Sequence, residues 1–178
     1  MGALEGSSIV RSIRPNDQVN FADRGVFHGL VDGGWWPRSL DLAAELPALL
    51  EEMFAADFDV TDVSFNLYAW QPAPSQLRVS GHRVWLHGDV TQDEASIQLI
   101  DSTGLKPVLL VVIPPGTHPL VAENALVLAG QDGDLHRPDQ ILARAARQTA
   151  VAHTTDQRPQ HAPASHPRRP LVQTWASQ

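Results

Sequence analysis

The densest set of chemically useful groups in the sequence is one short run, Asp32-Gly33-Gly34-Trp35-Trp36-Pro37-Arg38-Ser39-Leu40-Asp41. Adjacent indoles are costly to expose, since each has about 150–250 Å² of surface to bury. Paired glycines let a backbone come close to a neighbour. A helix starting near Ser39 places orphan N–H groups and the positive end of its dipole beside Arg38, which suits an anion. Together these groups describe a pocket for a small carboxylate or phosphate, with Trp35 or Trp36 as a stacking wall. Farther along, Asn66, Tyr68 and Trp70 fall on one side of an alternating segment and offer a mixed aromatic and polar surface. The candidate ligand-binding residues are therefore Asp32, Trp35, Trp36, Arg38, Asn66 and Trp70. A structural role competes with this reading: Trp35 and Trp36 seal the edge of a core, and Arg38 pairs with Asp41 or Asp32 to pin the loop.

Other chemistry has thinner support. An acid/base site needs Asp32, His28 or Asp41 working with Arg38 as an electrostatic clamp, and only proximity in sequence suggests it. No Gly-x-Ser-x-Gly elbow, P-loop or Gly-x-Gly-x-x-Gly fingerprint occurs. The chain has no cysteine, which excludes thiol nucleophiles, disulfides and thiolate metal sites. Its eight histidines form neither His-Glu-x-x-His nor His-x-His. His82 and His87, five apart, point to opposite faces of a strand. No metal and no cofactor is expected.

The net charge of −7 is unevenly spread: residues 1–148 carry −9 and residues 149–178 carry +2. An acidic domain repels phosphate backbones, so nucleic acid is not an expected partner. No stretch of about 18 apolar residues is present, so no membrane span is expected, and no leader pattern is visible. The expected location is cytoplasmic. The expected partners are a small anionic ligand, a protein, or further copies of the chain.

The elements that must position these groups follow from periodicity. Residues 1–20 read as a loose arm with a short strand around Ile9–Ile13. Val26–Val31 reads as a strand broken by a turn at Asp32-Gly33-Gly34. Leu42, Leu46, Leu49, Leu50, Met53 and Phe54 make one apolar stripe, predicting a helix over Ser39–Ala56, capped by Ser39 and kinked or divided at Pro47. Val60–Trp70 alternates as a strand. Leu77–Val79 and Val84–His87 flank Ser80-Gly81 as a hairpin, and Ala95–Ile100 and Val108–Ile113 flank Ser102-Thr103-Gly104 as another. Val108–Ile113, apolar throughout, reads as a central strand covered on both faces. Thr117 opens a helix to Ala129 with Gly130 as its stop, and a weaker helix runs from Asp139 to about Thr149. His153–Pro170 lacks Leu, Ile, Val and Phe, so residues 149–178 read as a disordered tail, with Arg158, Arg168, Arg169 and Trp175 available to a partner.

The run Gly33-Gly34-Trp35-Trp36-Pro37-Arg38-Ser39, with Asp41-Leu42 and Glu45-Leu46-Pro47 after it, resembles an actinobacterial family of uncharacterised proteins, defined as a domain of unknown function. Asn66, Trp70, Pro72, Pro74 and the run Leu109–Pro115 are similar to it as well, so the resemblance covers roughly residues 25–130. It implies an actinobacterial, cytoplasmic protein and brings no activity, cofactor or substrate.

The expected architecture is α+β: one domain over residues 21–148, an antiparallel meander of five or six strands, and two or three helices mainly on one face. The expected function is a non-enzymatic binding module with a small anionic ligand at the Trp-Trp-Pro-Arg loop. The alternatives are the acid/base enzyme near Asp32 and Arg38, and a homo-oligomeric scaffold.

Overall fold

The computed structural model describes residues 18–21, 30–105, 107–131 and 136–156, with side chains of the last helix described to Ala152. The expected strand at Ile9–Ile13, most of that at Val26–Val31, and the tail from 157 lie outside them.

Helix α1 (Leu42–Ala55) forms where the apolar stripe predicts it, and Leu42, Leu46, Leu49, Leu50 and Met53 are all buried. Its N-cap is Asp41 rather than Ser39. Asp41 Oδ1 accepts the Ala44 N–H at 3.1 Å, satisfying a donor that the helix itself leaves open. Ser39 instead donates to Glu45 Oε1 at 2.8 Å, and Glu45 Oε2 accepts the Arg38 N–H at 2.9 Å. The helix is not divided at Pro47.

The strands are β1 (Val19–Phe21), β2 (Gly33–Trp35), β3 (Val60–Asn66), β4 (Gln76–Val79), β5 (His82–Asp89), β6 (Ser96–Asp101) and β7 (Val108–Val112), followed by α2 (Pro119–Ala129) and α3 (Pro138–Asp156). They form one seven-stranded sheet in the order β1-β2-β7-β6-β3-β5-β4. The class is α+β as expected, but the sheet is no antiparallel meander. β2 lies parallel to β7, and β3 parallel to β5. The two hairpins form as read. Ser80 and Gly81 take positive φ, 49° and 88°, in the two-residue turn between β4 and β5. β6 and β7 pair around a turn in which Asp101 Oδ1 accepts from Thr103 and Gly104. Turn chemistry fixes each hairpin, but nothing local fixes which edge the next strand joins, and that is where the expected antiparallel meander fails.

The helices also divide between two faces instead of sharing one. Along β7, Leu110 and Val112 join a core with the buried stripe of α1, while Val111 and Ile113 join a core with Ala122, Ala125, Leu126 of α2 and Ile141, Ala145 of α3. Val108–Val112 is thus the central strand covered on both sides that its composition predicts.

Gly33 and Gly34, expected as a turn, are strand residues. An added Cβ on Gly33 falls 2.3 Å from Asn20 O, and one on Gly34 falls 3.0 Å from Ala129 Cβ. The glycines are there because β1 and α2 approach too closely for a side chain. β3 ends at Asn66, four residues short of the expected Trp70, and Tyr68 in the following turn is 77% exposed. α2 is capped at His118, not Thr117, and ends at Gly130 as read. α3 runs to Asp156, seven residues past its expected end.

Candidate functional site

Where two adjacent parallel strands send their connections to opposite faces of a sheet, a crevice opens outside their carboxyl ends. β2 and β7 meet that description. Trp35 lies opposite Val112 in parallel register. β2 leads into α1 on one face, and β7 leads into α2 on the other. The two departing loops start side by side, joined by Ile113 N–H donating to Trp35 O at 2.8 Å, and Trp36 N–H donates to Gln18 O at 2.7 Å.

Trp36, Pro37 and Arg38 follow β2, and Pro114-Pro115-Gly116-Thr117-His118 follows β7. Trp36 packs against the α2 core. The exposed Arg38 guanidinium lies over its ring, 5.9 Å from the centroid. Arg38 makes no ion pair among the described residues, with Asp41 and Asp32 included. The Trp36 Nε1–H is buried without an acceptor. His118 makes no side-chain cap, and Pro119 opens α2, so the Leu120 N–H is a donor of the first turn with no acceptor among the described residues. Three donors thus lie on the two segments that leave this end of the sheet, and the Glu45 carboxylate is bonded to one of them through the Arg38 N–H and the Ser39 hydroxyl.

Of the other four candidate residues, Trp35 and Trp70 come together, while Asn66 and Asp32 lie apart from them. Trp35 is 2% exposed and stacks on Trp70, 7% exposed, with centroids 5.4 Å apart and an interplanar angle of 22°. Both belong to the α1 core, on the opposite face from Trp36. The Trp70 Nε1–H is likewise buried without an acceptor. The Trp70 loop is tied to the start of α1 by Gln71 N–H donating to Leu40 O at 2.9 Å. Asn66 does not share a face with Tyr68 and Trp70. It is buried at the end of β3, where its Nδ2 donates to Gln92 O at 2.7 Å and its Oδ1 accepts the Tyr68 N–H at 2.8 Å. Asp32 sits at the other end of β2, where its Oδ2 accepts the Leu109 N–H at 2.8 Å.

Residues 18–129 match the model of a family of unknown function. The chain belongs to the DUF5994 family. No curated protein and no solved structure matches it. The DUF5994 region runs from the residue before β1 to the last residue of α2 and holds the β2–α1 and β7–α2 loops, while α3 lies beyond it.

The histidines of the hairpin separate as their spacing predicts. His82 stacks on Phe54 of α1, with Nδ1 2.9 Å from Asp59 Oδ1. His87 points to the other face, with Nε2 2.7 Å from Asp62 Oδ1. Among the described residues no three His, Asp or Glu side chains gather as a metal site requires. Partial burial pushes the Asp62 carboxyl up, but hydrogen bonds from His87 and Thr61 and the nearby His87 charge outweigh it and hold the carboxyl below its ordinary 3.8. A carboxyl depressed in the folded state contributes stability that is present above the unfolded value and lost as pH falls through the folded one. His87→Ala is expected to move the Asp62 titration up towards 3.8, read by NMR of the side-chain carboxyl; an unmoved titration would rule out His87 as the cause.

Proposed function

We propose that this DUF5994 domain is a non-enzymatic binding module that takes a small anionic ligand, a phosphate or carboxylate, in the crevice between the β2–α1 and β7–α2 loops. The observation that carries the reading is the parallel pairing of β2 with β7 and the divergence of their connections to opposite faces. The donor set supports the choice of an anion: the Arg38 guanidinium free of carboxylates, the unaccepted Trp36 indole N–H, and the uncapped start of α2. Pro37 before the arginine and two prolines in the facing loop limit the backbone freedom that binding must freeze.

The acid/base alternative has less to stand on. Its carboxylate, Asp32, is at the far end of β2 and engaged by the β7 backbone, and Asp41 is the helix cap.

The test is a thermal-shift panel of inorganic phosphate and small mono- and dicarboxylates, run on the intact chain and on Arg38→Ala. The unliganded variant is expected to lose under about 1 kcal/mol, because Arg38 is exposed and contributes only a cation–π contact. At least one anion is expected to raise Tm in the parent protein. In the variant that shift should shrink by an amount matching a lost charge-assisted hydrogen bond, about 1.5–3 kcal/mol. A panel with no shift, or a shift indifferent to Arg38, rejects the reading.

A further inference from the structure

Among the described residues, α2 packs on β1 and β2 and α3 on β7, while Gln76 and Arg78 of β4 and Arg83, Trp85 and His87 of β5 are exposed. Val84 and Leu86 of β5, Leu77 and Val79 of β4, and Val63 and Phe65 of β3 all point into the α1 core. Their neighbours Arg83, Trp85, His87, Gln76, Arg78 and Asp62 therefore share the opposite face. Trp85 lies at its centre and is 43% exposed, unusual for so large an apolar group in a regular strand. By register it has Gln76 on one side and Asp62 on the other.

Arg78 and Arg83 are direct cross-strand partners. Residues so placed have Cβ atoms about 4.5–5.5 Å apart, and like charges there repel. Neither arginine pairs with a carboxylate among the described residues. Of the acidic groups of this face, Asp62 is taken by His87 at 2.7 Å, and Asp89, at the end of β5, accepts from the Thr91 N–H at 2.7 Å. A local pair of uncompensated guanidinium groups thus stands beside an exposed indole on a domain whose overall charge is negative. β4, which carries Arg78, is the last strand of the sheet.

From this juxtaposition we propose that the Arg78–Arg83–Trp85 face docks an acidic peptide segment of a partner protein, lying extended beside β4. A strand added to a sheet edge presents alternate side chains to one face. Carboxylates at those positions meet the two guanidinium groups, which are suited to fork-like carboxylate binding, and an apolar side chain between them packs on Trp85. The chain's own termini do not fit this occupant. Residues 157–178 contain three arginines and no carboxylate side chain, and residues 1–17 balance Glu5 and Asp17 against Arg11 and Arg14. Nucleic acid fits less well than a short acidic peptide, because it carries a charge at every nucleotide against the −9 of residues 1–148, whereas the peptide needs only the few carboxylates that meet Arg78 and Arg83.

The experiment is fluorescence anisotropy at low salt with three labelled probes: a Glu–Phe peptide of repeated Glu-Ser-Phe-Ser, which puts Glu and Phe on one face of an extended strand, a Gln–Phe peptide with Gln in place of each Glu, and an oligothymidylate. The full chain is compared with Arg83→Glu, Trp85→Ala and Arg38→Ala, each checked for fold by circular dichroism. The Glu–Phe peptide is expected to bind best. Arg83→Glu should weaken it about tenfold or more, since a charge-assisted contact is replaced by repulsion. Trp85→Ala should weaken it too, and Arg38→Ala, at the other site, should leave it unchanged. Equal binding of the Gln–Phe peptide, preference for the oligothymidylate, indifference to Arg83→Glu, or no binding of the Glu–Phe peptide each overturns the proposal.

Discussion

Trp35→Ala is expected to leave the domain unfolded or barely folded at 25 °C. Trp35 sits in β2 between β1 and β7, 2% exposed, with its ring stacked on Trp70. Truncating a buried Trp to Ala costs about 3–5 kcal/mol through lost transfer energy and the cavity left behind. Losing an aromatic pair adds about 0.5–1.5 kcal/mol. A domain holds only about 5–15 kcal/mol in total, so one side chain accounts for much of it. Urea denaturation should show the midpoint collapse, with Trp35→Phe recovering a large part. Trp36→Ala, at a half-buried position on the other face, should cost clearly less. Equal costs for the two tryptophans would contradict their placement in separate cores.

Gly33→Ala is expected to be the second most damaging change, although it adds one methyl. The added Cβ falls 2.3 Å from Asn20 O and 2.9 Å from Phe21 Cα, and both are backbone atoms of β1. No rotamer change relieves that contact, so β1 must move away or leave the sheet. Overpacking costs about 1–3 kcal/mol even where side chains can shift, and a strand cannot yield as a side chain does. Gly34→Ala is the matched control, since its Cβ meets the Ala129 methyl at 3.0 Å and Leu126 Cδ2 at 3.3 Å, with the Leu126 side chain free to adjust. Hydrogen exchange in Gly33→Ala should show faster exchange at the Val19–Phe21 amides than in Gly34→Ala. If Gly33→Ala proves as stable as Gly34→Ala, β1 does not pair with β2 as described.

These two changes mark the limit of what periodicity reveals. The stripe of α1, the Ser80-Gly81 hairpin and the doubly covered β7 all follow from signals within a few residues, and all formed. β2 carries no such signal. Three residues reading Gly-Gly-Trp cannot alternate, and paired glycines usually mean a turn, so the sequence of β2 reads as the turn that ends a Val26–Val31 strand. Parallel partners such as β2 and β7 have no connecting turn to announce them. The candidate site was legible as a loop, since Trp36 and Arg38 remain on it, but its pairing beside the β7–α2 segment was not. The facing segment, from Pro114 to His118, shows in the sequence only the helix start expected at Thr117. Asn66 and Trp70 looked like neighbours because a strand through Trp70 puts even-numbered residues on one side; ending β3 at Asn66 removes the alternation that joined them. The exposed Trp85 face was half legible. Alternation groups Arg83, Trp85 and His87, yet which part of a sheet its helices leave bare is decided by docking, and only the fold reveals it.

The measurement that bears most directly on the crevice is an amide and indole chemical-shift titration of the intact protein with inorganic phosphate, and in parallel with a small dicarboxylate. A saturable response at the Arg38 and Leu120 amides and the Trp36 indole N–H, absent in Arg38→Ala while Trp35 and Trp70 stay unperturbed in both, is the predicted result. No saturable response at those groups with either anion, or a response that persists unchanged without the Arg38 guanidinium, would contradict an anion site between the β2–α1 and β7–α2 loops.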